Sequence, residues 1–270
     1  MSHRIRCILL FLPVYLFLSC GKDASTIGPS NPDFRYPLAV GEEWRYERRV
    51  TQTDDSGRLA PEERSVEVTV QVIGVESIFD AQAVKVREHV ESNGVSLISY
   101  YFYENSKEAL YLLGSIGEAV ALPKRSAATV SPAIFLHSAL WGLSHTGPTA
   151  DSIYQEIPPK IALKYPLLSG TQWKFREKGQ PRRIDKRVGD RQNIDTPAGT
   201  FDTVVIQWLM DFDGDGEFDD NVEFYDYIAS IGLVKRTFRI NHLPLLDDSG
   251  YTIGFYTYTD ESILTIHTKD

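Results

Sequence analysis

The chain has 270 residues, enough for one large domain or two small ones. Hydrophobic residues make up 42% and charged residues 24%, a globular balance that excludes a wholly disordered chain and a multi-pass membrane protein. Lys and Arg total 28 against 37 Asp and Glu, and the resulting charge of −9 excludes the clustered basic footprint that nucleic acid demands.

At the N-terminus, Arg4 and Arg6 precede an apolar run from Ile8 to Leu18 that ends at Ser19-Cys20. This has the shape of an export signal over residues 1–19. The run is too short to span a hydrocarbon core, which takes about 20 residues, so no transmembrane anchor is expected here. Its close, Leu16-Phe17-Leu18-Ser19-Cys20, resembles the lipobox of bacterial lipoproteins, with bulky Leu18 where a small residue is commoner. That resemblance implies acyl chains, palmitate among them, on Cys20. Cys7 and Cys20 are the only cysteines, and Cys7 leaves with the signal, so no disulfide is expected in the exported body. Removal of residues 1–19 takes two arginines and no acid, which moves the charge from −9 to −11. Adhesion to a membrane would then come from acyl chains, at about 0.8 kcal/mol per buried CH₂, rather than from basic residues. Gly21 follows the cysteine instead of Asp, which by analogy with envelope lipoproteins implies the outer membrane.

Residues 20–35 begin Cys-Gly-Lys-Asp-Ala-Ser-Thr and continue rich in Gly, Pro, Ser and Asp, the composition of a flexible tether. Beyond it the dominant signal is period two. Val66, Val68, Val70 and Val72 alternate with polar residues, and similar runs occur at 83–87, 96–103, 201–210, 233–240 and 251–267. Helical periodicity is confined to 132–143, where one short helix of two or three turns is predicted. The expected fold is all-β and antiparallel, because no helices are available for parallel crossovers.

The body is also written twice. Tyr36-Pro37-Leu38-Ala39-Val40-Gly41-Glu42-Glu43-Trp44-Arg45-Tyr46 recurs as Tyr165-Pro166-Leu167-Leu168-Ser169-Gly170-Thr171-Gln172-Trp173-Lys174-Phe175. Seven of the eleven positions agree in kind, and each copy leads into a strand, a turn and an aromatic strand, Tyr100 to Tyr103 in one and Phe224 to Tyr227 in the other. Two β-meander halves are therefore expected, over 36–122 and 165–270, joined by a proline-rich connector over 123–164. They would form a curved sheet or half-open barrel, as one continuous sheet or as two packed domains. Trp44 and Trp173 read as plugs at the end of a sheet, or as aromatic platforms for a sugar or lipid.

Thr196-Pro197-Ala198-Gly199-Thr200-Phe201 before one strand and Ile231-Gly232-Leu233-Val234-Lys235 before a later one resemble the turns of uncharacterised bacterial envelope lipoproteins. The likeness covers roughly 165–240. It implies a curved antiparallel sheet and kinship with envelope proteins that hold acyl chains in a half-open barrel. It implies no activity, since these motifs are turn chemistry.

The sharpest local signal is Asp211-Phe212-Asp213-Gly214-Asp215-Gly216-Glu217-Phe218-Asp219-Asp220. Calcium takes six to eight oxygens, and Asp211, Asp213 and Asp215, the carbonyl of Glu217 and Asp219 stand where an EF-hand-like loop supplies them. Val222 occupies the position of the bidentate Glu, and strands rather than helices flank the loop, so an EF-hand is excluded. The same residues also suit a plain acidic hairpin tip. For catalysis the search is thin: the histidines show no metal-ligand spacing, and Ser144-His145 between Gly142 and Gly147 only approximates a nucleophile elbow. The sequence thus predicts a lipid-anchored, non-enzymatic envelope protein binding an apolar or envelope ligand against aromatics at 100–103, 224–227 and 255–258. The alternative is a calcium-braced scaffold that contacts other envelope components.

Overall fold

The computed structural model describes residues 28–29, 31–58, 60–92, 95–117, 153–177, 183–212, 214–247 and 249–269. Twelve strands follow one another: β1 (Glu43–Asp54), β2 (Glu62–Ile78), β3 (Ala81–Ser92), β4 (Val95–Asn105), β5 (Ala109–Gly117), β6 (Tyr154–Lys164), β7 (Gln172–Arg176), β8 (Arg183–Thr196), β9 (Gly199–Asp211), β10 (Val222–Ala229), β11 (Gly232–Leu246) and β12 (Thr252–Thr268). The described residues contain no helix, and the predicted helix at 132–143 lies outside them.

All twelve belong to one antiparallel sheet in the order β6-β5-β4-β3-β2-β1-β12-β11-β10-β9-β8-β7. Each strand therefore pairs with its sequence neighbours except across β6 and β7, and β1 also pairs with β12, so among the described residues the ladder runs round a ring that is interrupted only between β6 and β7. The sheet curls into a nearly closed barrel. At the interruption, Trp173 Nε1 donates to Ile161 O at 2.9 Å and Lys186 Nζ donates to Ala162 O at 2.9 Å. Side chains reaching backbone carbonyls thus do at the seam what ladder hydrogen bonds do elsewhere.

Residues 154–164, counted by their prolines with the connector, form β6. Pro158 and Pro159 have no N–H to give a ladder, and an edge strand is where a sheet tolerates them. They also blunt an edge that would otherwise recruit a further strand.

Strict alternation of direction gives the barrel two distinct ends. The near end carries the 34–42 segment that leads into β1, together with the β2–β3, β4–β5, β6–β7, β8–β9 and β10–β11 turns. The far end carries the 55–61 loop, the acidic loop at 212–221 and the β11–β12 hairpin.

At the near end the two copies of the repeated motif occupy matching places. Gly41 N donates to Val72 O and Val72 N to Glu42 O, while Gly170 N donates to Val188 O and Val188 N to Thr171 O. Both glycines have positive φ, 93° and 84°. In each half the partner strand then slips register just beyond that valine. The tyrosines reach across to the opposite half. Tyr36 Oη accepts from Leu233 N at the β10–β11 turn, and Tyr165 Oη donates to Asn105 Oδ1 at the β4–β5 turn. Trp44 is 1% exposed, donates to Ile231 O at 2.6 Å and stacks on His267 at 5.5 Å. Gly232 makes room for this arrangement: a Cβ there would lie 3.1 Å from Tyr36 Oη and 3.4 Å from Trp44 Nε1, at a φ of +102°.

The inward residues form apolar layers. Phe34, Leu110, Leu163, Leu167, Trp173 and Ile206 pack at the near end, and Phe175, Trp208, Met210, Phe224, Phe238 and Tyr258 pack toward the far end. A large buried ring that also holds a hydrogen bond is costly to truncate, so Trp44→Ala should lower the unfolding free energy by about 3–5 kcal/mol, read by chemical denaturation.

Candidate functional site

Between these layers the interior carries charge. In β8 the inward positions are Ile184, Lys186 and Val188; in β10 they are Phe224, Asp226 and Ile228; in β11, Arg236 stands between Val234 and Phe238. Asp226 is 4% exposed and accepts from Trp208 Nε1 at 2.8 Å, Arg236 Nε at 2.6 Å and Arg236 Nη2 at 3.1 Å. A second pair lies alongside, with Arg48 Nη2 on Asp260 Oδ2 at 2.5 Å and Arg48 Nε on Oδ1 at 2.9 Å. Both are forked, charge-assisted contacts of the kind that tolerate burial.

Lys186 differs, because its hydrogen bond goes to a carbonyl rather than a carboxylate. Its Nζ stands 3.6 Å from the Trp208 ring centroid and 4.4 Å from that of Phe175. Those ring faces offer a desolvated cation partial compensation. Burial nevertheless pushes the Lys186 ammonium down to about 7, opposed by the charge of Asp226 and assisted by that of Arg236. Around this cluster runs a row of aromatic rings crossing five strands. Phe175 meets Trp208 at 5.1 Å, Trp208 stacks on Phe224 at 4.5 Å, Phe224 meets Phe238 at 5.3 Å and Phe238 meets Tyr258 at 6.0 Å.

This packing decides what the aromatics expected to line a ligand surface do. Alternation sends Tyr101, Tyr103, Phe224, Tyr256 and Tyr258 inward, where they join the core or the polar layer. Tyr100, Tyr225 and Phe255 face outward. Burial pushes the inward phenols up, Tyr36 to about 12 among them. On the outside, an open groove of about 430 Å³ lies on β1, β2, β3 and β12, and Arg45, Glu47, Glu67 and Glu91 give it a charged lining.

A group of exposed apolar residues stands at the far end. β10 leaves β11 at Ile240, and β1 leaves β12 at Tyr256, so the ribbon from Leu243 to Gly254 projects beyond its neighbours. On it Tyr251 is 73% exposed and Ile253 63%; at its base, where Asp55 N still donates to its carbonyl, Phe255 is 47% exposed.

The acidic loop is also at the far end. Asp211 is fully buried; its Oδ1 accepts from Gly214 N at 2.6 Å and its Oδ2 from Gly216 N at 3.1 Å. Asp219 Oδ2 accepts from Phe212 N at 2.5 Å, and Asp215 Oδ1 accepts from Glu217 N at 2.8 Å. Arg183 lies over the Phe218 ring at 4.4 Å and donates to Gly216 O. The carboxylates so placed shape the loop by accepting its amides. Among the described residues no three His, Cys, Asp or Glu side chains gather into a metal-holding group. Asp213 lies outside those residues, as do Cys20, His137, Ser144 and His145.

The buried charges escaped the sequence reading. A signal for them does exist: Lys186, Asp226 and Arg236 each stand singly on the apolar face of an alternating strand, where a charge needs a partner from another strand.

No protein-family model matches this chain, and no curated protein matches it. Two solved structures are similar to it. One is a lipoprotein candidate from Parabacteroides distasonis ATCC 8503, 14% identical over 86% of this chain and 97% of that one, with a TM-score of 0.29. The other is an exported-protein candidate with a YmcC-like fold from Bacteroides fragilis NCTC 9343, 11% identical over 87% of this chain and 99% of that one, with a TM-score of 0.32.

Two measurements follow from the buried charges. Because the Lys186 pKa is depressed in the fold, the unfolded chain binds more protons between pH 7 and about 10, and stability should rise with pH across that window. Above about pH 10 the buried tyrosines act in the opposite sense, since the unfolded chain then loses protons that the fold retains. Lys186→Met should remove the rise between pH 7 and 10, seen in denaturation midpoints against pH. In the loop, Asp211→Ala leaves two amides without their acceptor and should cost about 1–3 kcal/mol in the same assay.

Proposed function

We propose that this chain is a lipid-anchored protein of the bacterial envelope, exported by residues 1–19, held in the outer membrane through Cys20, and acting as a non-catalytic binding module for an apolar or envelope ligand. The anchor rests on the Leu-Phe-Leu-Ser-Cys motif and the tether that follows it. The observation that carries the binding role is the projecting ribbon with Tyr251, Ile253 and Phe255 exposed. A two-stranded ribbon of this kind is marginal by itself, and contiguous exposed apolar surface marks a place of interaction. The interior offers a ligand little by comparison, because its aromatic rings are already packed against one another and against Lys186, Asp226 and Arg236. The charged groove on β1 and β12 suits an apolar ligand poorly.

Native mass spectrometry on the fragment from Gly21 onward tests this reading, with dioleoyl phosphatidylcholine as the apolar probe and calcium present. The expected result is a bound lipid mass that disappears in the Ile253→Asp, Phe255→Asp double variant. A calcium mass lost on Asp213→Ala, without lipid, makes the calcium-braced scaffold the better account. A bare polypeptide mass overturns both.

A further inference from the structure

We propose that the near end of the barrel is a lipid-facing surface, seated on the membrane that holds Cys20, with Val40 and Leu168 as its apolar contacts. The inference rests on the lipidation reading above and adds to it an orientation.

Three observations carry it. The chain joins the body at the near end, where Phe34 is buried against Tyr165 with the rings 6.0 Å apart. Val40 and Leu168 are 58% and 52% exposed, and they stand in the two copies of the repeated turn, Val40 directly before the positive-φ Gly41 and Leu168 two residues before the positive-φ Gly170. Those turns lead into β1 and β7, six strands apart around the ring, so the two side chains flank the near end on opposite sides of the barrel.

Reach decides between the two ends. Thirteen residues, 21–33, separate Cys20 from Phe34. Gly28 to Phe34 contains hydrogen-bonded turns, with Asn31 N on Gly28 O and Phe34 N on Asn31 O, both at 2.9 Å, so the length of thirteen fully extended residues, about 45 Å, is an upper bound on the reach. β12 has 17 residues, about 55 Å along the strand, and a barrel tilt of roughly 40° leaves the far hairpin about 40 Å from the near end. Laying the far end on the bilayer would therefore demand an almost fully stretched tether, at a large loss of chain entropy. Two apolar side chains add little to the hold of the acyl chains; what they fix is which end faces the lipid.

The test uses the full chain, lipidated and reconstituted in phosphatidylcholine vesicles that contain a nitroxide-bearing lipid as quencher. Cys7 leaves with the signal and Cys20 is blocked by its lipid, so Val40→Cys, Leu168→Cys and Ile253→Cys each give one thiol for an environment-sensitive fluorophore. The expected result is quenching several-fold stronger at positions 40 and 168 than at 253. Equal quenching at all three sites, stronger quenching at 253, or none at any site overturns the orientation while leaving the anchor intact. An intact mass without acyl chains on Cys20 overturns the orientation and the lipidation reading together, so the two failures are distinguishable.

Discussion

Pairing β1 with β12 sets Glu43 beside Thr268 and Asp54 beside Tyr256, and every other ladder among the described residues lies between strands that follow one another in the chain. Loop-closure entropy grows slowly with length but must be met before a contact so remote in sequence can form. The remaining structure helps to hold this closure. Arg48 of β1 is forked onto Asp260 of β12, and Trp44 of β1 stacks on His267 of β12, so a charged contact and an aromatic one cross the same ladder. With the ring closed there, its one discontinuity falls on the opposite side, between a strand with two adjacent prolines and a strand of five residues.

The same layout explains which elements the sequence disclosed. The valines of β2 from Val66 to Val72 alternate with polar residues because one face of that stretch packs on the core and the other faces water. β5 runs Ala-Leu-Tyr-Leu-Leu-Gly and is buried on both faces for most of its length, so it has no period of two to detect. β8 hides its strand character behind Arg183, Asp185, Lys186 and Arg187, whose charges look solvated in sequence although Asp185 and Lys186 are buried. β7 is too short to carry a period, and β6 carries the prolines that mark an edge. Turn chemistry was the most transferable signal, since a Tyr-Pro opening, a glycine and a tryptophan specify the same local path wherever they occur. Which partners the interior charges meet was illegible for the complementary reason. Their partners come from other strands, and no local pattern says that Asp226 will face Arg236, Trp208 and Lys186 at once.

That buried polar layer has a physical role apart from net stability. Ion pairs removed from water lose in desolvation much of what they gain by attraction, so Asp226 with Arg236 and Arg48 with Asp260 are weak reasons for the barrel to fold. They are strong reasons for it to fold in one register. A one-residue slip of β10 against β11 would turn Asp226 to the opposite face and leave Arg236 buried without its carboxylate. The stacked rings on either side would tolerate such a slip far better, since apolar surface is interchangeable and a buried charge is not. Lys186 extends the argument to the seam. Its Nζ holds Ala162 O of β6 while its stem crosses the faces of Phe175 and Trp208, so the polar layer is continuous with the closure of the barrel.

A barrel filled in this way leaves its ends to meet other molecules, and the chain treats the two ends differently. At the near end both repeated turns are tied down by tyrosine and tryptophan hydrogen bonds to the opposite half, and this crossing of plugs couples the two halves where the tether arrives. At the far end the neighbours fall away, and the β11–β12 ribbon continues alone with its apolar residues in water. The acidic loop stands at that end too, stiffened by the buried carboxylate of Asp211 and by the packing of Phe218 under Arg183 and of Phe212 on the core. Rigidity at one end and projection at the other come from the same rule of strand length. β11 and β12, with 15 and 17 residues, outrun β10 with 8 and β1 with 12, and all four are matched in register at the near end, so the whole excess emerges at the far one.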